Sequence, residues 1–514
     1  MIPTAIASFV SAGAASLALT ALIWRIAPRL GLIDRPDQRR KLHARPIALG
    51  GGAAVFLATV VVLGGLVFTP NPWRMQINEQ WWNLLGSFLA CAWIVVLGLI
   101  DDRVGIRGRQ KLLGQIVAAS ILMGCGVLIR KIGLFGWEAD LGPLAIPLTL
   151  FWLVGAINAV NLLDGMDGLA TVLGIILSVS ICVLAVLTNH AAVAIAALVF
   201  AGSLLGFLPF NLAPAKIYLG DAGSMLIGLV VGGLSIRATL KGPGTVLLAA
   251  PLAILTIPIL DSAVAILRRK LARRSIYETD RGHIHHRLLA RFGSKHKVLL
   301  CVALCSMVTC AGALASTYAK SDLIAVVAVA AVVAMFVATG LFGRGEFVLL
   351  AARVRNTVIS LVRPANGSQP QIRETTARLQ GSRQWDVLWE SLTESADKLG
   401  LTKLHLDVNM PALQEQYSAT WESPVPEEDR EKHWELKLPL MVAGHGVGSL
   451  TIAGQHDGDS GCPSIELIWE ILEPFEVGLR ELTEQDILAT AGDRRPLPGR
   501  HPRKARRVAA AGEP

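Results

Sequence analysis

Residues 144–187 read LAIPLTLFWLVGAINAVNLLDGMDGLATVLGIILSVSICVLAVL, two long apolar runs joined by one short polar stretch. Each run is close to the length that a helix needs to cross a hydrocarbon core of about 30 Å. The polar stretch between them carries Asn and Asp at regular intervals and two glycines. This segment therefore predicts two membrane-spanning helices that are joined at one membrane surface by a polar loop.

The composition of the whole chain supports the same interpretation. The chain has 514 residues, of which 53% are hydrophobic and 17% charged, and its mean hydropathy is +0.51. That is too apolar for a soluble chain with an ordinary surface-to-volume ratio. We therefore predict an all-α polytopic membrane protein with about eleven transmembrane helices, each of roughly 16 to 23 residues. The predicted spans are residues 2–24, 48–69, 84–100, 112–129, 144–160, 170–187, 191–209, 223–238, 245–267, 298–317 and 322–342.

The distribution of Lys and Arg predicts the orientation of these helices. One set of alternate loops is much richer in Lys and Arg than the other, so it is expected to be cytoplasmic. This set is 25–47, 101–111, 161–169, 210–222 and 268–297. With an odd number of spans, the N-terminus lies outside and the C-terminus in the cytoplasm, and we expect a multi-pass protein of the inner (cytoplasmic) membrane. The net charge of +9 is explained by this topology and by anionic lipid, and it requires no nucleic acid.

Two further features bear on processing and on metal binding. The first span lacks a basic region before it and is followed by Arg25 and Arg29, which favours an uncleaved helix over a removable signal peptide. The seven cysteines lack the pairing of a zinc site, and most lie in apolar spans. We interpret them as packing residues, with no disulfide framework.

A change of composition near Gly345 divides the chain. We predict a transmembrane domain (1–343), a juxtamembrane helix and linker (344–381), a small cytosolic α+β domain (382–486) and a basic disordered tail (487–514). Within the second region, 346–363 fits a helix on the inner membrane surface or a plain continuation toward the cytosol. In the α+β domain, helical periodicity covers 383–399 and 464–484, and strand alternation covers 403–408, 434–440 and 446–453.

Most acidic residues of the first 343 positions fall in or beside the predicted cytoplasmic loops. Asp101 and Asp102 directly follow the apolar run WIVVLGLI, and Arg107 and Lys111 come soon after. Adjacent side chains on a helix point in different directions, so one carboxylate can serve a metal or phosphate while the other pairs with a nearby base. The alternative is that this acidic pair only marks the end of a span.

The run NAVNLLDGMDGLA, residues 158–170, is more specific. Asn158, Asn161, Asp164 and Asp167 recur every three residues, which on a helix winds a polar stripe around the end of a span. The two glycines permit close backbone approach or a bend. Four oxygen-bearing side chains without a thiolate suit Mg²⁺ or Mn²⁺ better than zinc. A Ca²⁺ loop is the alternative, but the run lacks the Glu that such a loop carries at its twelfth position.

Two further motifs place polar residues at later spans. PAKIYLGDAGS, residues 214–224, sets Lys216, Asp221 and Ser224 before a span, where the free N–H groups of a helix start can hold an anion. Asp261 lies inside the apolar run PILDSAVAI. Because a charge in lipid is costly, we expect Asp261 to face a wet cavity, and a buried hydrogen bond between helices is the alternative.

The last predicted cytoplasmic loop contains DRGHIHHRLL, residues 280–289, a dense polar cluster in a chain that has 11 histidines. Zinc binding is disfavoured, since no cysteine is near and the spacing i, i+2, i+3 is poor for a helical metal face. Contacts to phosphate or sugar hydroxyls, with an acid or base role, fit better. A purely structural cluster is the third alternative.

These motifs, in this order, resemble the polyprenyl-phosphate N-acetylhexosamine-1-phosphate transferases. The similar stretches are GLIDRPDQRRKLHARPIALGGG, GLIDDR, NAVNLLDGMDGLA, YLGDAGS, PILD and GHIHHRLL, all within residues 25–292. The HIHH form resembles the branch that uses UDP-N-acetylglucosamine or a close relative, and not the peptidoglycan branch. Residues 364–514 have no counterpart in the usual pattern of that family.

The resemblance implies transfer of an N-acetylhexosamine-1-phosphate, foremost GlcNAc-1-phosphate, from a UDP-sugar to undecaprenyl phosphate. UMP is released and a cell-envelope polysaccharide is begun. The implied cofactor is Mg²⁺, with Mn²⁺ as a substitute, at Asn161 and Asp221. Asp101 resembles a base or a partner of the lipid phosphate. The candidate catalytic residues are Asp101, Asp102, Asp164, Asp167, His283, His285 and His286, and the candidate substrate-binding residues are Lys111, Asn158, Lys216, Asp261 and Arg287.

The expected chemistry is in-line attack of the polyprenyl-phosphate oxygen on the β-phosphorus of the UDP-sugar. Two other classes stay open: a transporter or flippase of lipid-linked or phosphorylated solutes, and a catalytically inactive membrane sensor. The expected partners are the UDP-amino sugar, the polyprenyl phosphate and the membrane. A second copy of the chain and a downstream glycosyltransferase are further candidate partners.

Overall fold

Most of the apolar segments form α-helices in the computed structural model of the protein. It describes residues 2–34, 46–71, 74, 81–239, 245–271, 283–340, 373–380, 385–398, 401–410, 415–423, 433–442 and 445–455, and residues 475, 477 and 479. The chain divides into two compact units, residues 1–347 and 348–514. The helices of the first unit are α1 (Ile2–Ile26), α2 (Gly51–Phe68), α3 (Trp81–Val104), α4 (Gly108–Gly124), α5 (Ala145–Leu163), α6 (Leu169–Leu187), α7 (Ala191–Asn211), α8 (Gly220–Ala238), α9 (Ala249–Ile254), α10 (Thr256–Leu271), α11 (Ile284–Phe292), α12 (Lys295–Ala319) and α13 (Asp322–Ala338).

Among the described residues, eight helices are long and apolar enough to cross a membrane. They are α1, α2, α3, α5 with the turn before it, α6, α7, α8 and α12. The chain is therefore a mostly helical, multi-pass membrane protein, but the predicted count of eleven spans is not confirmed. The segments predicted at 112–129 and 322–342 form α4 and α13, which have 17 residues each. The segment predicted at 245–267 is interrupted at Leu255, because the ring of Pro258 clashes with a helical carbonyl four residues earlier.

Helix α8 lies at the centre of the first unit, and glycines allow its neighbours to approach it closely. A Cβ added at Gly52 of α2 or at Gly98 of α3 would overlap the backbone of α8 near Ala222. A Cβ added at Gly228 of α8 would lie 2.5 Å from the Cα of Ile157 in α5. Small residues at such crossings are typical of helix packing in membranes. Three helices therefore contact α8 backbone to backbone.

Within the described part of the first unit, five short strands accompany the helices: β1 (Ile33–Asp34), β2 (Ile47–Ala48), β3 (Lys131–Leu134), β4 (Trp137–Asp140) and β5 (Thr245–Leu247). β1 and β2 pair next to the start of α8, where Tyr218 N–H donates to the Ala48 carbonyl at 2.8 Å. β3, β4 and β5 form a three-stranded sheet in the order β4-β3-β5. The β1–β2 pair thus ties the segment after α1 to the entry of α8.

The described residues of the second unit form an antiparallel sheet and a helix. Its elements are β6 (Arg373–Gln380), α14 (Trp385–Lys398), β7 (Leu401–Met410), β8 (Glu415–Glu422), β9 (His433–Val442) and β10 (His445–Gln455), with strand order β6-β8-β7-β10-β9. Trp385 and Trp389 of α14 are buried in one apolar cluster with Leu404 and Leu406 of β7. The indole N–H of Trp385 donates to Glu415 Oε2 at 2.9 Å.

The helix predicted at 383–399 and the three predicted strands are present in this unit. Strand β6, however, lies within the segment interpreted as linker, and β8 was not predicted. β6 is a polar edge strand, RETTARLQ, without the apolar alternation on which a strand prediction depends. The predicted helices at 346–363 and 464–484 and the tail at 487–514 lie outside the described residues, apart from residues 475, 477 and 479.

Replacing Gly228 by alanine is expected to destabilise the transmembrane unit. The new Cβ would lie 2.5 Å from Ile157 Cα and 2.6 Å from the Ala156 carbonyl oxygen, which are both backbone atoms. Overpacking of this kind costs about 1 to 3 kcal/mol. Gly155→Ala in α5 is the matched control, because a Cβ there meets no atom within 4 Å. Thermal unfolding in detergent measures both, and equal midpoints would contradict the close packing of α5 on α8.

Candidate functional site

The carboxylate of Asp102, near the end of α3, lies over the N-terminus of α8. Its Oδ1 accepts a hydrogen bond from the Asp221 backbone N–H at 2.8 Å, and its Oδ2 accepts one from the Ala222 N–H at 3.4 Å. Gly220 has a φ of 74°, and a Cβ there would overlap this carboxylate. The first N–H groups of a helix lack intrahelical partners and favour a negative charge. The anion that the sequence predicts at this helix start is therefore, in this structure, Asp102 of the same chain.

Lys111, in the first turn of α4, bridges two carboxylates. Its Nζ lies 3.0 Å from Asp101 Oδ2 and 2.9 Å from Asp221 Oδ1. The other oxygen of Asp101 accepts a hydrogen bond from the Ile106 N–H at 2.8 Å. Both oxygens of Asp101 thus have partners within the chain, and Lys111 is held beside Asp221.

Asn161, near the end of α5, completes this group. Its Nδ2 donates to Asp221 Oδ1 at 2.5 Å and to Ser224 Oγ at 2.8 Å. Its other amide atom, Oδ1, is the one that can coordinate a cation. Residues from α3, α4, α5 and α8 therefore meet at one end of the helices, which agrees with the prediction that these motifs lie at one face of the membrane.

Asp164 and Asp167 lie in the loop between α5 and α6. Burial raises the pKa of Asp164 well above its ordinary value, and the negative charges of Asp221, Asp102 and Asp167 raise it further. The negative charge of Asp167 is partly neutralised, because its Oδ2 accepts a hydrogen bond from the Lys295 ammonium Nζ at 3.1 Å. These carboxyl groups are half-buried and close together, and a bound cation would favour their ionised forms.

Asn158 is hydrogen-bonded to Gln115 of α4. Its Nδ2 donates to Gln115 Oε1 at 2.7 Å, and Gln115 Nε2 donates back to Asn158 Oδ1 at 3.2 Å. Gln115 is buried and lies one helical turn after Lys111, on the same face of α4. This reciprocal pair joins α4 to α5, and the substrate contact of Asn158 stays a prediction.

Three residues of this region were not predicted: Gln115, Lys295 and Tyr218. Gln115 lies four residues after Lys111, and this spacing indicates that both side chains are on the same face of α4. Lys295 is distant from Asp167 in sequence, so no local pattern indicates their contact. Burial raises the pKa of Tyr218 to about 12, and the charges of Asp167 and Asp164 act in the same direction. The phenol therefore stays protonated at neutral pH and can donate a hydrogen bond.

Asp261 is wrongly predicted to face a wet cavity, because its side chain is 0% exposed. Its Oδ2 contacts His283 Nδ1 at 2.9 Å, and its Oδ1 accepts a hydrogen bond from the Ile284 N–H at 2.7 Å. The alternative, a buried hydrogen bond between helices, is what the structure shows. Asp261 of α10 therefore anchors the start of α11 and orients the ring of His283.

His285 lies on α11 between His283 and His286, with ring centroids 6.0 Å and 4.3 Å away. It is 3% exposed, and neither ring nitrogen has a hydrogen-bond partner among the described residues. Burial lowers its pKa to about 3, and the charge on His286 lowers it as well. A Cβ on Gly165 would overlap this ring, so the loop after α5 lies directly against a neutral histidine.

The remaining candidates lie around this group. His286 and Arg287 are half-buried on α11. Lys216 is exposed, with its Nζ 6.0 Å from the centroid of the Phe210 ring. Asp280 lies outside the described residues. The structure therefore joins the DD, NAVNLLDGMDG and GDAGS motifs directly, and Gly165 brings His285 beside them.

The donor atoms of this group fit Mg²⁺. Within the described part of the chain, no three His, Cys, Asp or Glu side chains are arranged to hold a metal ion by themselves. Mg²⁺ is usually held by one or two carboxylates together with substrate phosphates and water. Asn161 Oδ1 and the Asp221 carboxylate are two hard oxygen donors on side chains that contact each other through Asn161 Nδ2, beside further carboxylates.

Comparison with known proteins agrees with this arrangement. The model of the family described as glycosyl transferase family 4 matches residues 84–239. The chain is 35% identical over 289 residues to the probable undecaprenyl-phosphate N-acetylglucosaminyl 1-phosphate transferase of Bacillus subtilis (strain 168), which covers 56% of this chain and 77% of that protein. It is 36% identical over 341 residues to the decaprenyl-phosphate N-acetylglucosaminephosphotransferase of Mycobacterium tuberculosis (strain ATCC 25618 / H37Rv). This alignment covers 61% of this chain and 83% of that protein.

A third relative is the undecaprenyl-phosphate alpha-N-acetylglucosaminyl 1-phosphate transferase of Escherichia coli (strain K12), 30% identical over 300 residues, with 57% of this chain and 78% of that protein covered. The matched residues of the family model include the carboxylates of α3 and α8 and the whole of α5. Since similarity at this level extends over most of each relative, this chain belongs to the polyprenyl-phosphate N-acetylhexosamine-1-phosphate transferases of glycosyl transferase family 4.

Proposed function

We propose that this chain transfers N-acetylglucosamine-1-phosphate from UDP-N-acetylglucosamine to undecaprenyl phosphate and releases UMP. The names of the relatives support transfer of this group to a polyprenyl phosphate. The observation that carries the proposal is the contact of Asp221 with Asn161 and Lys111 at the helix end that Asp102 caps. We place this end at the cytoplasmic face of the inner membrane, because its loops are rich in Lys and Arg.

The main obstacle to this reaction is electrostatic, since a phosphate must attack a diphosphate. Mg²⁺ held by Asn161 and Asp221 would neutralise charge on the diphosphate. Lys111 adds a fixed positive charge 2.9 Å from Asp221. In the transfer, a bond forms between the lipid phosphate oxygen and the β-phosphorus, and the bond from that phosphorus to UMP breaks. Preorganised charge of this kind usually supplies the largest share of catalysis.

The remaining groups have positioning and binding roles. Asp102 holds the first turn of α8 and thereby orients Asp221. Asp101 holds Lys111. The lipid phosphate has a second pKa near 6 and is largely ionised at neutral pH, so no strong base is required. The buried ring of His285 lies against the loop that carries Asp164 and helps to position that loop, while its contact with the sugar stays a prediction. A homodimer, or a glycosyltransferase bound to the second unit, stays a prediction.

Replacing Asp221 by asparagine is expected to lower turnover by at least about 100-fold, the effect of losing one preorganised charge interaction. Asp140→Asn is the matched control, because that exposed carboxylate belongs to the β3–β4 sheet and not to this site. The measurement is formation of labelled lipid from radiolabelled UDP-N-acetylglucosamine and undecaprenyl phosphate.

Chelation with EDTA should abolish turnover of the unchanged protein, and Mg²⁺ or Mn²⁺ should restore it. Full activity in EDTA would refute the metal, and absence of labelled lipid and UMP would refute the transferase.

The variant Asp101→Asn tests whether a base is needed. We expect its turnover at pH 8 to stay within about tenfold of the unchanged protein, because the lipid phosphate is already ionised, whereas loss of a required base costs about 10² to 10⁴. The comparison is the variant Lys111→Gln, which removes the positive charge itself and should lose more turnover than Asp101→Asn. A loss of about thousandfold in Asp101→Asn at both pH 6 and pH 8 would instead support an obligatory base.

Asp261→Asn tests the positioning of the histidines. Asparagine keeps an acceptor for the Ile284 N–H but presents an amide N–H₂ where His283 Nδ1 has its carboxylate partner. We expect KM for the UDP-sugar to rise by about tenfold or more, as when an outer partner of a functional group is removed. Ser262→Ala is the neighbouring control. An unchanged KM with loss of thermal stability alone would assign Asp261 a structural role only.

A further inference from the structure

A cavity of about 340 Å³ lies in the half of the helices that is remote from Asp221. Its walls come mainly from α2, α3, α7 and α8. Along α8 the lining residues begin at Leu226 and end at Arg237, whereas Asp221 lies in the first turn. Along α3 they run from Trp81 to Cys91, and Asp101 lies at the opposite end. The cavity therefore belongs to the other leaflet from the candidate active site.

The size and lining of this cavity suit a hydrocarbon chain. Most of the lining side chains are aliphatic or aromatic, for example Phe56, Leu63 and Phe200. From Leu226 to Arg237 the helix rises roughly 16 Å, which is about half of a 30 Å hydrocarbon core. The volume is in the range of pockets that bind small ligands. The cavity is thus one leaflet deep and apolar along its length.

Two features connect this cavity with lipid. Trp81 and Phe88 line it and are also 55% and 43% exposed, so the cavity reaches the outer surface of α3. Among the described lining residues, Arg237 is the one that carries a formal charge, and it lies in the last turn of α8 at the far end. A cation at the membrane-surface end of an apolar cavity between helices is typical of a site for an anionic lipid head group.

We propose that this cavity binds one acyl chain of an anionic phospholipid from the leaflet opposite Asp221, with the lipid phosphate at Arg237. The charge of Arg237 favours an anionic head group over a zwitterionic one. The polyprenyl phosphate must place its phosphate at the other end of α8 to react, so it is not the lipid at Arg237. That exclusion rests on the proposed function, whereas the lipid site itself does not.

The experiment uses the full-length chain in nanodiscs of phosphatidylcholine that contain phosphatidylglycerol with a photoreactive group on its acyl chain. We expect adducts on the lining segments of α2, α3 and α8. Gly64 lines the cavity and Gly65 does not, and a Cβ meets no atom within 4 Å at either position. Gly64→Phe should therefore lower labelling about tenfold, equivalent to about 1.4 kcal/mol. Gly65→Phe, the matched control, should label like the unchanged protein.

The charge is tested separately. Arg237→Gln should lower labelling by the photoreactive phosphatidylglycerol about tenfold. Labelling by a photoreactive phosphatidylcholine should be the same in this variant as in the unchanged protein. Equal labelling of the two glycine variants would overturn the proposal, as would adducts spread evenly over the lipid-facing surface.

If Gly64→Phe does not fold, competition in the unchanged protein decides. Displacement of the probe by unlabelled phosphatidylglycerol, but not by phosphatidylcholine, supports the proposal. If polyprenyl phosphate displaces the probe more strongly than phosphatidylglycerol does, the proposal is overturned and the cavity is assigned to the polyprenyl substrate. Because the readout is labelling, loss of transferase activity does not change the result.

Discussion

The arrangement of the candidate site depends on one hydrogen-bonded contact, between the Asp102 carboxylate and the first N–H groups of α8. It joins the end of α3 to the start of α8, the most buried of the eight membrane-crossing helices in the described part of the chain. Gly98 and Gly220 make the contact possible, because a side chain at either would overlap α8 or the carboxylate. Once α8 is held there, Asp221 lies within reach of Lys111 from α4 and Asn161 from α5.

Much of this site could be predicted from the sequence, because its residues occur in short motifs at the ends of apolar runs. The spacing of the Asn and Asp residues, and their position at the ends of apolar runs, indicate which end of a helix carries oxygen ligands. The two glycines of DGMDG were predicted to allow close approach, and Gly165 does so against His285. In such cases the local pattern and the packing require the same residue.

Other features could not be read from the pattern, because they depend on how helices rotate and pack. Asp101 and Asp102 are adjacent and chemically alike, yet one holds Lys111 and the other caps α8. Asp261 was expected to face water, but its two oxygens meet His283 and Ile284, which satisfies the carboxylate within the protein. The polar edge strand β6 lacked an alternating signal, since only pairing with β8 defines it.

The contact between Gly165 and His285 has a consequence for biosynthesis. A chain made from its N-terminus contains Asp101, Asp102, Asn161 and Asp221 once α8 has been synthesised. The histidine that rests on Gly165 follows only after α10 has been synthesised, and Asp261 of α10 then fixes the start of α11. The carboxylate half of the site can thus assemble before its histidine half, and a nascent chain that stops after α8 carries the carboxylates without the neutral imidazole.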